Sequence, residues 1–407
     1  MRTTAELRAD FLGWTPDGGP DGIRWLDHAA TTPRLACAID AERDFYAHAN
    51  ANPGRALHRL GVAATETVEQ ARMTLAEFVG DAHHIGRIVW TRGTTEALNL
   101  VARSVGVEAE VWVGGAEHHS NLLPWCVGGR NVHVIPLTPS GDLDLGALEA
   151  GLAASSAREK WVAFAAISNV IGRIQDVGAI CRIAQRYGAI SVVDAAQAAF
   201  HLPLRAEEWD CDFLAFSGHK MGGPMGIGVL WGRTEQLERL TPQMYGGEMV
   251  DEVADEGCAL TLADVPARLE AGTLNAAGAV GLATAARWVT SLKPEVHAHV
   301  AVLAQEAAKR LTEIPGVRVL GGAEEGQGRG VRASLVTFDV EGVHAHDVAQ
   351  WLDDDGIAVR GGRLCAHPLL ARLGLQAAVR ASFGPVNDFS DVDALVASVR
   401  RVKEALG

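Results

Sequence analysis

Nowhere does the chain run through about 18 apolar residues without interruption, so no segment is expected to cross a membrane as a helix. Its start, MRTTAELRADFLGW, has no continuous apolar core, and no secretion signal is expected there. Cysteine is sparse. The six stand at positions 37, 126, 181, 211, 258 and 365, none paired at the short spacing of a zinc or redox motif. No disulfide framework and no metal site are expected, and a reducing, cytoplasmic compartment fits that usage. Basic residues are outnumbered, 36 Lys and Arg against 50 Asp and Glu, giving a net charge of −14. That balance argues against nucleic acid or an anionic membrane as the main partner. Internal repeats and low-complexity tracts are also missing.

What is present is a chain of 407 residues, 48% apolar and 21% charged, the composition of a soluble globular protein. That length exceeds what one hydrophobic core usually organises, so a large domain and a smaller one are expected. From about residue 86 to 232, Val/Ile/Ala-rich strands alternate with helical patterns: RIVW then TTEALNLVARS, EVWVGG then HSNLLPWCV, NVHVIPL then DLGALEAGLAA, WVAFAAIS then AICRIAQRYG. AISVVDAAQ, FLAFS and GIGVLWG close the series. This predicts a mostly parallel sheet covered by helices on both faces. Ligands of such sheets sit beyond the carboxyl ends of the strands. Polar residues collect there: Thr94 and Thr95, His118, Asn169, Asp194 with Gln197, and Ser217 to Lys220. Residues 248–267 break the rhythm and read as an insertion. Beyond about 285 the pattern becomes a smaller α+β unit, with a long helix near 293–312, a Gly/Glu-rich turn GGAEEGQGRG and the strand SLVTFDV. The last helix is expected to open on a capping box at Ser390 and Asp393, with Val392, Leu395, Val396, Val399 and Val402 on its apolar face. The expected domains are an N-terminal segment 1–20, a large unit 21–285 and a small unit 286–407.

FSGHKMGGPMGIG, residues 216–228, places Lys220 at the end of an apolar strand, where a buried ammonium is costly unless it is used. A lysine amine of lowered pKa attacks carbonyls, and condensation with an aldehyde removes the buried charge. Pyridoxal phosphate asks for such a lysine, a carboxylate for its ring nitrogen and a helix N-terminus with hydroxyls for its phosphate. Gly93, Thr94 and Thr95 stand at a strand-to-helix junction suited to a phosphate, although an ordinary N-cap would read the same way. Asp194 ends the strand SVVD and suits a pyridinium nitrogen. Gln197 could reach the phenolic oxygen, and His118 could stack on the ring. Nucleotide readings fail: the lysine precedes the glycines, unlike a P-loop, and GIGVLWG lies within a strand.

These residues are similar to those of the class V branch of fold-type I pyridoxal-phosphate enzymes, and within it to the cysteine desulfurases and selenocysteine lyases. The resemblance runs nearly end to end, through LDHAATTP (26–33), NANPGRALHRLG (50–61), RGTTEALNLVA (92–102), EHHSNLLPW (117–125), SNVIG (168–172), DAAQ (194–197), FSGHKMGGPMGIGVLWG (216–232), RLEAGTLN (268–275) and VRASF (379–383). It implies that Lys220 holds the cofactor and that Ser217, His219 and Thr95 bind its phosphate. Thr273 would contact that phosphate from a neighbouring subunit, so a homodimer is implied. The resemblance further places the substrate against Ala29, Asn169, Arg360 and Arg380, with Arg380 taking the carboxylate.

In AVRGGRLCAHPLL (358–370), Cys365 matches the family's loop cysteine, which attacks the sulfur of the substrate adduct to leave alanine and an enzyme persulfide. Arg360 and Arg363 would favour its thiolate if they point inward. The short stretch from Cys365 to Arg380 and the insertion after Gly246-Gly247 resemble the branch serving the Suf iron–sulfur route. That branch usually carries Arg-x-Gly-His-His-Cys-Ala, whereas Arg363-Leu364 stands here in place of both histidines. An arginine cannot shuttle protons near neutral pH as a histidine does. The expectation is a cysteine desulfurase with L-cysteine as substrate and a sulfur-acceptor protein as partner. A selenocysteine lyase or other C–S lyase, or a class V aminotransferase or epimerase in which Cys365 is a bystander, stays open.

Overall fold

The computed structural model describes residues 2–255, 259–321 and 332–407. Seven strands form the main sheet: β1 (Gly86–Thr91), β2 (Glu110–Gly114), β3 (Asn131–Ile135), β4 (Lys160–Ala165), β5 (Ala189–Asp194), β6 (Phe213–Ser217) and β7 (Gly228–Arg233). Their order is β1-β7-β6-β5-β4-β2-β3. The contiguous β6-β5-β4-β2-β3 block is parallel, as the unbroken apolar runs predict. One strand departs from that pattern. GIGVLWG returns as β7, antiparallel to both β6 and β1, because the ten residues between it and β6, 218–227, hold only a 3-10 turn and are too few for a helical crossover.

Both faces of the sheet are buried. Val68, Leu75 and Leu282, from the helices Arg59–Phe78 and Ala276–Ser291, pack with Phe164, Val193 and Phe216 on one side. Leu98 and Val101 of α1 (Thr94–Arg103) pack with Val111, Val192 and Phe213 on the other. The segment HSNLLPWCV does not make the expected continuous helix. It folds as a single 3-10 turn, His119–Asn121, and a four-residue helix, Leu123–Cys126, with Pro124 confined to that helix's first turn.

The C-terminal sheet, order β8-β9-β11-β10, is antiparallel throughout: β8 (Val317–Val319), β9 (Leu335–Val340), β10 (Arg360–Gly362) and β11 (Ala378–Ser382). Helices Pro294–Thr312, Ala345–Asp354 and Phe389–Leu406 cover it, and Val392, Leu395, Val396, Val399 and Val402 all point into its core. The capping box of the last helix lies two residues earlier than predicted, on Asp388 and Asp391. Asp388 accepts from the N–H of Ser390, and Asp391 from the N–H of Asp388. A carboxylate at the N-cap also meets Arg8, which the local pattern could not reveal.

The chain near its start joins this second sheet. Arg24–Trp25 pairs with Ile357–Ala358, and Asp27 bridges to Ser382. Asp27 is thereby carried to the mouth between the two sheets. The predicted insertion contains a short antiparallel hairpin, Val250–Val253 with Leu260–Leu262. Most of the Gly/Glu-rich turn (322–330) falls outside the described residues.

Candidate active site

The carboxyl ends of β4, β5 and β6 open into one cavity of about 310 Å³, closed on its far side by the small sheet. Thr94, Thr95, His118, Asn169, Asp194, Gln197, Ser217, His219, Lys220, Ala29, Arg360, Cys365 and Arg380 all line it. Parallel strands deliver Asn169, Asp194 and Ser217 to one edge, and the C-terminal sheet with the segment bridged to it brings Arg380 and Ala29 opposite them.

At one corner, α1 begins. The Thr94 N–H donates to Ser217 Oγ at 2.8 Å, and the two hydroxyls share a hydrogen bond at 2.7 Å. Thr95 and Ser120 pair in the same way at 2.8 Å. Gly93, with φ of 152°, precedes them, and a Cβ there would stand 3.1 Å from Ser217 Oγ. Only glycine leaves this hydroxyl-lined helix start open to an anion.

Asp194 ends β5 beneath the cavity. It is buried and accepts from the Ala196 N–H at 2.8 Å, and burial raises its pKa against the opposing pull of Lys220. Lys220 follows β6 on a single 3-10 turn. Burial lowers its pKa; Asp194 and Cys365 oppose the shift, and Arg380 adds to it. Burial, reinforced by the Lys220 charge, also holds His118 and His219 neutral at pKa values of about 4.

On the opposite wall, Arg380 is only 4% exposed. Its Nη1 donates to the Asn169 carbonyl at 2.9 Å, and its Nη2 faces Asp27 at 3.4 Å. Arg360 pairs with the other oxygen of Asp27. Buried Arg380 Nε and Asn169 Oδ1 have no hydrogen-bond partner among the described residues. Such orphans are rare in folded proteins, and this pair suits a ligand carrying a carboxylate and a hydrogen-bond donor.

Cys365 is exposed at the rim. Leu364 and Cys365 both have φ of 51°, two successive left-handed residues, neither of them glycine. Each costs about 1–2 kcal/mol, so the surroundings must impose the turn. Leu364, at 7% exposure, packs among Ala116, Val170, Leu369 and Leu370. Asn169 Nδ2 donates to the Leu364 carbonyl at 2.8 Å.

The structure separates two predicted residues from this group. Arg363 is exposed and does not line the cavity, because the turn sends Leu364 inward in its place. Thr273 lies in a different, open groove with Thr91, Arg92, Met244 and Asn275. Other residues escaped the sequence reading. Asp27 sat unremarked inside LDHAATTP, although a carboxylate in a quoted motif was a usable signal. Ser120 and Glu117 flank His118. Glu117 is buried beneath the cavity, accepting from Asn121 Nδ2 at 2.6 Å and the Ala165 N–H at 3.0 Å. Burial raises its pKa to about 8, with Asp194 adding to the shift.

Comparison with known proteins places this geometry. The model of the aminotransferase class-V family matches residues 24–395. The chain belongs to that family. It is 40% identical to a probable cysteine desulfurase of Vibrio cholerae, over 98% of each chain. It is 38% identical to a cysteine desulfurase of Dickeya dadantii, over 98% of this chain and 97% of that one. Among solved structures, the Escherichia coli cysteine desulfurase CsdA superimposes with a TM-score of 0.86 at 36% identity, over the whole of both chains. A cysteine desulfurase of Thermococcus onnurineus gives 0.89 at 33%, covering 100% of this chain and 99% of that one.

Class-V aminotransferases use pyridoxal phosphate, and the residues here fit it. The Gly93 opening and the Thr94, Thr95, Ser217 and His219 corner suit the phosphate, buried Asp194 suits the ring nitrogen, and Lys220 suits the aldehyde.

Proposed function

We propose that the protein is a pyridoxal-phosphate-dependent cysteine desulfurase in which Lys220, Asp194, Arg380 and Cys365 divide the work. The two units, 21–285 and 286–407, enclose the site. When bound, pyridoxal phosphate supplies an aldehyde for the substrate amine and a ring that accepts the electron pair released at Cα. Lys220 would hold the cofactor through its aldehyde, and its amine, with a pKa lowered by burial, would carry the proton to and from the substrate's Cα. Asp194 holds the ring nitrogen protonated. His118 and Gln197 orient the ring, while Thr94, Thr95, Ser217 and His219 hold the phosphate.

Arg380 Nε donates to the substrate's α-carboxylate and Asn169 Oδ1 accepts from an N–H or O–H of the bound substrate or cofactor, so that both orphaned positions are filled. Ala29 and Arg360 complete that wall. Cys365, as thiolate, attacks the substrate sulfur. A sulfur–sulfur bond forms, the substrate Cβ–S bond breaks, and its electron pair passes to Cβ, which is protonated. Cysteine and one thiol become alanine and one persulfide. The exposure of Cys365 suits transfer of that sulfur to an acceptor protein's thiol.

A homodimer accounts for Thr273, which is exposed away from the cavity of its own chain. Exposed Leu57, Met225, Met244 and Tyr245 supply apolar surface for such a contact.

The observation that carries the reading is one cavity joining Lys220 and Asp194 to Cys365 and the orphaned Arg380 Nε. The test is a paired assay of alanine and sulfide from L-cysteine with a reductant. Wild type should yield both equally, and Cys365→Ala neither. Lys220→Ala should lose the visible absorption band of the bound cofactor. Alanine and sulfide surviving in Cys365→Ala would refute the persulfide.

A further inference from the structure

The Cys365 turn is held from a residue outside the roles assigned above. His119 lies on the 3-10 turn after His118, half-buried, and meets the turn twice. Its main-chain N–H donates to the Cys365 carbonyl at 2.8 Å. Its ring Nε2 accepts from the main-chain N–H of His367 at 3.3 Å. The two imidazoles meet edge to face, with centroids 4.4 Å apart. His119 therefore holds the turn at the Cys365 carbonyl and two residues beyond it. On the other side, the packed Leu364 side chain and the bond from Asn169 to its carbonyl fix the preceding residue, so four contacts hold two left-handed residues in place.

We propose that His119 is a positioning residue that holds Cys365 in its left-handed turn, aimed at the cavity, through its main-chain N–H and its neutral ring. This rests on the role of Cys365 given above. The histidines missing before Cys365 are thus not replaced in the chain order: the imidazole arrives from the large unit, across the cavity mouth.

The ring contact sets a protonation requirement. Nε2 accepts, so the neutral ring carries its proton on Nδ1. A protonated ring would point an N–H at the His367 N–H, and that contact would open. Burial and the His367 ring lower the His119 pKa, which keeps the contact through neutral pH. The groups around it are His118 beside it, His367 and Cys365 on the turn, and Arg103 and Arg130 on the adjoining groove. All of these except Cys365 are neutral or cationic, so Cys365 as thiolate is the one group that favours the imidazolium, against burial and the His367 ring. A histidine with a lowered folded pKa supports the fold fully above its unfolded pKa. That support is lost as the pH falls through the lower folded value.

The test uses the cofactor-loaded protein and reads Cys365 directly. Iodoacetamide alkylation, quantified on the Cys365 peptide by mass spectrometry, and amide exchange over residues 364–370 are compared for wild type, His119→Ala and His119→Gln. Removing the ring acceptor should speed exchange at the start of the helix His367–Arg372 by roughly three- to tenfold and change alkylation of Cys365 in step. Alanine formation should fall by a similar factor, with KM for cysteine and the cofactor's absorption band unchanged. His119→Gln offers a carbonyl acceptor that does not titrate. It should restore most of the protection and abolish the acid-side loss expected of wild type. Wild-type exchange and alkylation in His119→Ala would overturn the proposal. So would a shifted cofactor band in both variants, which would place His119 with the cofactor instead. Exchange and alkylation are read without turnover. A wild type that makes no alanine therefore fails the desulfurase reading and leaves the His119 contacts to be judged on their own data.

Discussion

Glu117→Gln offers a direct check on the electrostatics beneath the cavity. Glu117 sits at 5% exposure between Asn121 and the Ala165 N–H, and burial lifts its pKa from the usual 4.5 to about 8. The folded protein thus keeps a proton that the unfolded chain gives up. A group raised in this way supports the fold fully below its unfolded pKa, and the support is lost as pH rises through the folded value. With pKa values of 4.5 and about 8, the loss relative to acid is under about 1 kcal/mol at pH 5 and about 3 kcal/mol at pH 7. Glutamine does not titrate. The stability difference between variant and wild type should therefore move by roughly 2 to 3 kcal/mol in favour of the variant between pH 5 and pH 7. Its absolute value also carries a fixed cost, because the new amide meets the Asn121 amide donor to donor. That cost does not vary with pH, so the slope is diagnostic and the offset is not. Urea unfolding of both proteins at pH 5, 6 and 7 measures it. Parallel curves would show that Glu117 is ionised in the folded protein, and the argument from burial would fail.

Two further substitutions probe the anion-binding ends of the site. Arg380→Lys removes the planar fork and should cost about 2 kcal/mol of substrate binding, roughly thirtyfold in KM for cysteine. The cofactor's absorption should stay unchanged, and an unaltered KM would exclude Arg380 as the carboxylate partner. Gly93→Ala puts a methyl group 3.1 Å from Ser217 Oγ on a backbone with φ of 152°. It should cost about 1–3 kcal/mol and weaken pyridoxal phosphate retention, measured by dialysis and absorbance; wild-type retention would remove Gly93 from the phosphate corner.

Local sequence sufficed for the alternation of strands and helices, because each strand is apolar along its whole length and each helix carries one apolar face. It also sufficed to nominate Lys220, Asp194 and the Thr94–Thr95 helix start, which line one cavity in the fold, since chemistry at a strand's carboxyl end is a local signal. The same logic missed β7, whose antiparallel direction depends on the short connection before it, residues 218–227, and on its partners β1 and β6. It misplaced the final helix cap, where Asp388 is favoured by Arg8, 380 residues away in the chain.

What tertiary structure alone decided lies where distant segments meet. Asp27 reaches Arg360 and Arg380 only because the chain's start adds to the C-terminal sheet. Leu364 turns inward and Arg363 outward because the cluster of Ala116, Val170, Leu369 and Leu370 receives an apolar side chain and would not bury a guanidinium. His119 meets Cys365 across 246 positions, a contact that no spacing in the sequence announces. Sequence by itself determined which chemical groups the site contains. Their distances, their burial and hence their protonation states came from packing, because desolvation and hydrogen bonding depend on neighbours that the chain brings together only once folded.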